Sequence, residues 1–261
     1  MFSNKIRCLY RRNQLAEVIC QLRFPEILSI EANAPVDFQE AIRQEFPQFQ
    51  RRQDIPAPTL TGVPGNMTVQ HAPAITNYQF SSADGIWRVN LTGRFISLTC
   101  SRYTCWEDFA GKLDKPLAAF IQIYKPAYFE RVGLRYLNFI SREKLQLEDV
   151  PYRDLIAPAY LGLLQEEDIV ERQVNRCSTD AEVSLNGGCN LKMHAGPGLV
   201  TQNGEKHTEI KFILDLDFFM NGNVPVNYST GALKSLHAQA YPIFRDAITD
   251  TLHNAMDPIS G

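Results

Sequence analysis

The stretch Glu130-Arg-Val-Gly-Leu-Arg-Tyr-Leu-Asn138 lies near the middle of the chain and is its most strand-like segment. Apolar and polar residues alternate along it, and side chains of a β-strand point alternately to its two faces. We therefore expect Val132 and Leu134 to face a core, and Arg131 and Arg135 to face the other side. The stretch predicts the first strand of a second half of the protein.

A weaker copy of this pattern, Ala16-Glu-Val-Ile-Cys-Gln-Leu-Arg-Phe24, stands near the N-terminus. Its Leu22-Arg23-Phe24 can be aligned with Leu134-Arg135-Tyr136. The same order of segments follows each copy: a helical segment, several strand-like stretches and a long amphipathic helix. This repetition predicts an internal duplication in pattern rather than in strict spacing.

The two long helices are predicted at 104–124 and at about 230–256, where apolar residues recur at helical spacing. Thr104-Cys-Trp-Glu107 has the spacing of a capping box at the start of the first one. Each helix contains an internal proline, Pro116 or Pro242, and a proline inside a helix removes a backbone hydrogen bond. We therefore expect each long helix to be kinked or broken.

The segments between the first strands and the long helices are predicted from alternation and turn residues. In the first half we predict a short helix at 38–46, then either a proline-rich loop at 50–74 or an irregular edge strand within it at 66–70, and strands at 75–80, 86–91 and 95–100. In the second half we predict a helix or helical turns within 142–166, then strands at 169–176, 181–185, 190–195 and 208–218. Asn186-Gly-Gly188 and Gly196-Pro-Gly198 are interpreted as turns between these strands.

These elements predict an α+β fold with two related halves, residues 1–126 and 127–261, packed as one globular unit. Each half is expected to contain a strand, a helix, an antiparallel meander and a long helix that covers the sheet. This order resembles the topology of TATA-binding-protein-like and helix-grip folds. Fold alone does not determine function.

The bulk composition predicts a soluble protein with a sizeable core. The chain has 261 residues, of which 44% are hydrophobic and 21% charged, and its formal net charge is -3. No stretch is long and uncharged enough to cross a membrane, so we expect a cytoplasmic protein. The six cysteines form no metal-binding or redox motif, and we expect no cofactor. The net charge makes nucleic acid an unlikely partner.

Cationic residues at outward positions of the predicted strands could gather on one face of a shared sheet. These candidate partner-binding residues are Arg23, Arg88, Arg131, Arg135 and Lys211. Such a surface could bind an acidic protein partner or a phosphate. The alternative is an ordinary solvated sheet face, because Glu182, Asp215 and Asp217 are expected among the cations.

Asp215-Leu-Asp217 places two carboxylates on one side of a predicted strand. This spacing could hold a divalent cation or supply acid and base groups if a third ligand converged on it. The sequence shows no third ligand at a fixed spacing. Asp215 and Asp217 are therefore weak metal candidates, and the sequence assigns no catalytic residue.

Two signatures of the chain resemble those of a sporadically distributed family of uncharacterised bacterial and archaeal proteins. They are Tyr10-x-x-Asn13-x-Leu15-x-Glu17-Val18-Ile19 with Leu22-Arg23-Phe24-Pro25, and Arg131-Val-Gly-Leu-Arg-Tyr-Leu-Asn138, with Tyr103-x-x-Trp106-x-x-Phe109 between them. Gln14 stands where a family proline is expected. The resemblance implies no known activity, and the patchy distribution implies a place in mobile or defence-linked gene neighbourhoods.

Three hypotheses on function follow from the sequence. The leading one is a non-catalytic binding or regulatory protein that holds a protein partner through Arg23, Arg131 and Arg135 or through the 50–74 loop. The alternative is a small-molecule or nucleotide sensor with a cavity between the sheet and a kinked helix, since Pro116 or Pro242 could open the packing there. The third is a metal-dependent enzyme that uses Asp215 and Asp217.

Overall fold

A computed structural model describes residues 8–55, 59–63, 66–70, 73–202 and 205–260, with only the backbone for 59–63, 66–70, 202, 205–207 and 260. The helices in this part of the chain are α1 (Leu28–Ala32), α2 (Val36–Ile42), α3 (Trp106–Tyr124), α4 (Arg142–Leu145), α5 (Ser229–Ala247) and α6 (Asp250–Ala255). The strands are β1 (Cys8–Tyr10), β2 (Leu15–Arg23), β3 (Gln48–Asp54), β4 (Thr59–Val63), β5 (Asn66–Gln70), β6 (Ile75–Ser81), β7 (Trp87–Leu91), β8 (Phe95–Cys100), β9 (Phe129–Ile140), β10 (Thr179–Ser184), β11 (Asn190–Gln202), β12 (Glu205–Val224) and β13 (Pro258–Ser260).

Nine of these strands form one antiparallel sheet, in the order β10-β11-β12-β9-β2-β8-β7-β6-β3. The two segments that begin the predicted halves, β2 and β9, are neighbours at its centre, with Leu22 opposite Val132 and Arg23 opposite Arg131. Strands of the first half extend the sheet beyond β2, and strands of the second half extend it beyond β9. The predicted α+β class with an antiparallel sheet is confirmed, and both halves share a single sheet.

The core lies between one face of this sheet and the helices. On the central pair, Val18, Cys20, Leu22, Val132 and Leu134 are fully buried, as the alternation predicts. Helix α3 packs over β8 and against α2, and α5 packs over β9 and β12. Each large aliphatic side chain buried here stabilises the fold by about 1.5–3 kcal/mol, so the central pair is strongly anchored to the helices.

Both long helices continue through their internal prolines, Pro116 in α3 and Pro242 in α5. The second one ends earlier than predicted. Ile248 is extended and forms an isolated bridge with Ile156, and Thr249 then caps α6 by accepting a hydrogen bond from the Leu252 backbone. The helix predicted to run to about 256 is therefore broken at Ile248 rather than at Pro242, because a threonine cap starts a new helix there.

The start of the first long helix lies one residue later than the capping box at Thr104 predicts. The residue before α3 is Cys105, which makes no side-chain cap hydrogen bond. Thr104 Oγ1 instead donates to the Asp108 carboxylate at 2.5 Å. The motif therefore lies at the start of the helix, where Thr104 is joined to its first turn through Asp108.

Three predicted loops and strands differ from the structure. The predicted 50–74 loop contains the end of β3 and strand β4, and the alternative of a strand at 66–70 is confirmed as β5, which pairs with β4. Residues 56–58, 64–65 and 71–72 of this stretch lie outside the described residues. The predicted strand at 169–176 contains a short 3-10 turn at Glu171–Gln173 instead. The glycines of 196–198 lie inside β11 instead of forming a turn. A Cβ on Gly196 would stand 2.4 Å from the carbonyl oxygen of Cys177, so this glycine serves a close approach of two backbones.

A ribbon of two short strands frames the site described below. Strand β1 pairs antiparallel with β13, so residues from near both ends of the chain form a two-stranded ribbon. The helical turns predicted within 142–166 are present as α4 and short 3-10 turns. Among the residues that the structure describes, no helix is long and apolar enough to span a membrane.

Candidate functional site

The sheet face that points away from the core, here called the outer face, carries the arginines of the central strand. Arg131 Nη2 donates to both carboxylate oxygens of Asp217, at 2.8 and 2.7 Å. Arg135 donates through Nε and Nη2 to the two oxygens of Asp215, at 2.7 and 2.5 Å. The hydrogen bond to Asp215 raises the pKa of Arg135 above the ordinary value of an arginine. These four residues form two neighbouring ion pairs, and we call them the charged cluster.

Gly133 makes room for one of these pairs. A Cβ at this position would lie 2.1 Å from Nη1 of Arg131, so the guanidinium group lies across the backbone of β9. The same group covers the ring of Phe219, with 4.6 Å between Cζ and the ring centroid. Stacking on an aromatic face and hydrogen bonding to a carboxylate together fix the arginine in place.

The other predicted cations do not join the charged cluster. Arg23 and Arg88 are exposed, and neither makes an ion pair with any residue that the structure describes. Arg23 lies directly opposite Arg131, whereas Arg88 lies on β7, three strand spacings or roughly 14 Å from β9. Lys211 is only 3% exposed and so adds little to the surface. The charged cluster therefore contains two of the five cations, and Arg23 lies beside it.

Asp215 and Asp217 are both engaged by arginines in this arrangement. A divalent cation at this position would have to displace a guanidinium group from each carboxylate. Within the described ranges, no group of three His, Cys, Asp or Glu side chains is placed to hold a metal ion. The geometry gives the metal-enzyme hypothesis no support.

A pocket of about 420 Å³ lies on the opposite side of the central strands, beneath α5, and we call it the α5 pocket. Its floor includes Leu15 of β2, Tyr136 and Asn138 of β9, and Leu216 of β12. Its roof is the part of α5 that surrounds Pro242, with lining residues His237, Ala240, Tyr241 and Phe244. A cavity between the sheet and a proline-containing helix is therefore present at α5.

The terminal ribbon and the segment before α3 form the remaining walls of the α5 pocket. Residues 8–11 and Ile259 close one side, and Tyr103 and Thr104 close another. The ribbon is attached to its surroundings by side chains: Tyr10 Oη lies 2.8 Å from His253 Nδ1, and Cys8 Sγ lies 3.3 Å from Tyr241 Oη. Burial raises the pKa of Tyr10 and of Tyr241, so both hydroxyls stay protonated at neutral pH.

The histidine of the α5 pocket is held from two sides. Its Nδ1 lies 2.8 Å from the hydroxyl of Tyr136, and its ring stacks on Trp106 with 4.5 Å between the centroids and 10° between the planes. The stack joins α5 to the start of α3, and the hydrogen bond joins α5 to β9. His237 therefore positions the roof of the pocket over its floor.

Asn138 has a polar group without a partner. The side chain is 1% exposed, and Nδ2 donates to the backbone oxygen of Leu214 at 3.1 Å. Oδ1 has no hydrogen-bond partner among the described residues, although an unsatisfied buried acceptor costs about 1–3 kcal/mol. A β-bulge between Leu15 and Glu17 lies directly opposite Asn138 on β2. Such bulges are frequent beside active sites. Asn138 thus brings to the floor of the pocket a buried acceptor that the described residues leave unsatisfied.

Sequence reasoning suggested a cavity under a proline-containing helix but missed Asn138 in its floor, although the sequence carried a signal for this residue. Asn138 falls on the inward side of β9, in line with Val132, Leu134 and Tyr136. A polar residue at the end of an inward apolar row needs a hydrogen-bond partner or a reason to lack one. The terminal ribbon could not have been found in this way, because its pairing joins residues about 250 positions apart.

No protein-family model matches the chain, and a search of curated proteins found no match either.

Proposed function

We propose that the protein is a non-catalytic binding protein whose α5 pocket holds a small molecule. The observation that carries this proposal is a pocket of about 420 Å³ with the unsatisfied Asn138 acceptor in its floor. Ligand pockets typically enclose about 300–1,000 Å³ and combine apolar walls with a few placed polar groups. Leu15, Leu216 and Phe244 supply such walls.

The titratable groups of the α5 pocket support binding rather than catalysis. Tyr136 is hydrogen-bonded to His237, and Tyr10 is hydrogen-bonded to His253. A general base needs hydrogen-bond reach to a proton of the substrate, and a nucleophile needs a base beside it. These pairs instead join the walls of the pocket. The groups that could react thus serve to hold the roof and the ribbon in place.

Thermal-shift screening of a broad panel of uncharged and charged metabolites tests the proposal. We expect members of the panel to raise the melting temperature, because a ligand that binds only the folded state stabilises it. The matched control is Ala240→Phe, in which the new ring enters the pocket from α5. The variant should fold and lose the response. A panel without hits, or hits that survive in Ala240→Phe, would remove the α5 pocket as the binding site.

A second candidate function is recognition of a protein partner by the outer face. The observation that favours it is the exposure of Arg23 and Arg88 without ion pairs in the described part of the chain. Arg131 and Arg135 attract an acidic partner less strongly, because Asp217 and Asp215 neutralise their charges. An acidic surface on a partner would match the two remaining charges.

Affinity purification from the native host separates this second candidate from the first. The double variant Arg23→Glu/Arg88→Glu should lose a co-purified protein while its melting temperature stays within a few degrees of the parent. Arg172→Glu, an exposed change outside the sheet, is the charge control and should keep the partner. An unchanged partner profile in the double variant would eliminate the outer-face arginines.

We also infer that the halves 1–126 and 127–261 are related by duplication, as in the TATA-binding-protein-like and helix-grip folds that they resemble. The strand orders β2-β8-β7-β6 and β9-β12-β11-β10 run outward from the centre in the same way, and α3 and α5 follow the last meander strand of each half. An experimental structure tests the inference: one rotation should superpose these four strands and the helix of each half.

A further inference from the structure

We propose that the α5 pocket selects an uncharged ring-containing molecule that has one hydrogen-bond donor, an O–H or N–H group, which Asn138 Oδ1 accepts. This inference rests on the proposed function and names the class of ligand. It narrows the sensor hypothesis, because a nucleotide with its phosphates falls outside the class.

The charge of the lining excludes anions and cations. Among the described residues that line the pocket, Arg11 is the one lysine, arginine or carboxylate side chain. It is 66% exposed, and the Asp257 carboxylate at 3.1 Å already neutralises its charge. A charged group taken into the pocket would lose its hydration without gaining a counter-charge, which costs several kcal/mol. Phosphates, carboxylates and ammonium groups are therefore disfavoured.

The shape of the lining favours rings. Tyr10 and Phe244 meet edge to face with 6.1 Å between their centroids, and Tyr136 lies on the floor. Aromatic walls attract the face or the edge of a planar ligand beyond the gain from burial alone. Leu15 and Leu216 offer the apolar surface on which such a ring can lie. A volume of about 420 Å³ admits a molecule of two or three fused rings.

The hydrogen-bond inventory sets the polar group of the ligand. Two asparagines line the pocket, and Asn13 uses both ends of its amide: Nδ2 donates to the Tyr103 carbonyl at 3.4 Å, and Oδ1 accepts from the Leu15 backbone at 3.0 Å. Asn138 uses only its Nδ2. The orientation of its amide is fixed, because turning it over would bring Oδ1 against the Leu214 carbonyl oxygen. The available group is an acceptor, so the ligand must donate.

Three probes of matched shape test the class by calorimetry or by their own fluorescence: 2-naphthol, 2-methoxynaphthalene and 2-naphthoate. We expect 2-naphthol to bind, 2-methoxynaphthalene to bind about tenfold more weakly because it has no donor, and 2-naphthoate not to bind at pH 7. Equal affinity of the first two would overturn the donor requirement. Binding of 2-naphthoate as tight as that of 2-naphthol would overturn the exclusion of charge.

Two asparagine variants assign the preference to its residue. Asn138→Leu should remove the tenfold preference for 2-naphthol over 2-methoxynaphthalene. Asn90→Leu is the matched control, because Asn90 Oδ1 is also buried without a described partner but lies on the outer face. It should keep the preference. A preference that persists in Asn138→Leu would place the acceptor elsewhere. Where Asn138→Leu fails to fold, the ratio of the two affinities in the parent protein still decides the donor requirement.

The failure of this inference can be told apart from failure of the proposed function. If none of the three probes binds while the broad panel yields hits that Ala240→Phe abolishes, the ligand class is wrong and the pocket stands. If the panel also yields no such hits, the pocket itself is wrong.

Discussion

The two faces of strand β9 satisfy their polar groups in opposite ways. On the outer face, Arg131 and Arg135 each meet a carboxylate of the neighbouring strand. On the inner face, Asn138 lies at the floor of a pocket with an acceptor that no described residue occupies. One strand thus has a face completed by the protein itself and a face that is incomplete. A ligand bound at the incomplete face would gain most, since it would supply a hydrogen bond that the fold lacks.

The inner face should also respond differently to added volume inside and outside the α5 pocket, which is the largest effect that we expect. Ala232 and Ala240 both lie on α5, but Ala232 is fully buried in the core and Ala240 lines the pocket. Ala232→Leu should destabilise the protein by about 1–3 kcal/mol because it overpacks the core. Ala240→Leu should cost less than about 1 kcal/mol because its side chain enters empty space. Urea unfolding of both variants measures the difference.

The measured stabilities of Ala232→Leu and Ala240→Leu can depart from this expectation in two ways. Equal losses would mean that the pocket is closed to a larger side chain, which contradicts its description as available space. A loss near zero in Ala232→Leu would instead mean that the core beneath the N-terminal half of α5 is loosely packed. Unchanged slopes against urea concentration are needed for either reading, because the slope reports the surface exposed on unfolding.

The alternation in β2 and β9 predicted the strands and their buried residues correctly, since period-two patterning depends only on neighbouring residues. The side-chain partners could not be predicted, because Arg131 and Asp217 are 86 positions apart and meet only after β9 pairs with β12. The Gly196 turn was predicted wrongly for a similar reason: the Cys177 carbonyl that needs this glycine comes from another segment. Local pattern thus predicts elements, and long-range packing decides what their polar residues do.

Prediction of the α5 pocket from the sequence is limited in the same way. Its helix carried a visible signal in Pro242, and its floor carried another in the inward position of Asn138. Its third wall, the ribbon of β1 and β13, depends on pairing between distant residues such as Leu9 and Ile259. A sequence can therefore indicate that a cavity exists under a helix, but what closes it depends on the whole fold.

The next largest effect concerns the completed face. Asp217→Asn should destabilise the protein by about 1–2 kcal/mol, because Arg131 is only 18% exposed and would lose its carboxylate. Asp215→Asn should cost less, since its partner Arg135 is 43% exposed and water screens it more. A double-mutant cycle with Arg131→Gln isolates the coupling of the first pair.

A third variant tests the same pair without touching either charge. Gly133→Ala should displace the Arg131 guanidinium and lower the measured coupling between Arg131 and Asp217, because its Cβ would occupy the place of Nη1. A full coupling energy in the Gly133→Ala background would show that the arginine reaches the carboxylate by another path. A coupling below about 0.3 kcal/mol in the parent would mean that the outer face is not stabilised by this pair.

The smallest effect is expected at the rim of the outer face, where Asp180 Oδ1 lies 2.8 Å from His194 Nδ1. The hydrogen bond from His194 lowers the pKa of Asp180 below its ordinary value near 3.9. A carboxyl with a lower pKa in the folded state stabilises the protein above the unfolded pKa. That contribution is lost as the pH falls through the folded pKa. Carbon-detected NMR titration should show the Asp180 pKa rising toward its ordinary value in His194→Gln, while urea unfolding at neutral pH barely changes because Asp180 is 65% exposed. A large loss of stability in that variant would contradict the expected difference between the two pairs. Water screens the exposed pair of Asp180 and His194 at the rim, whereas Arg131 and Asp217 at the centre are largely shielded from it.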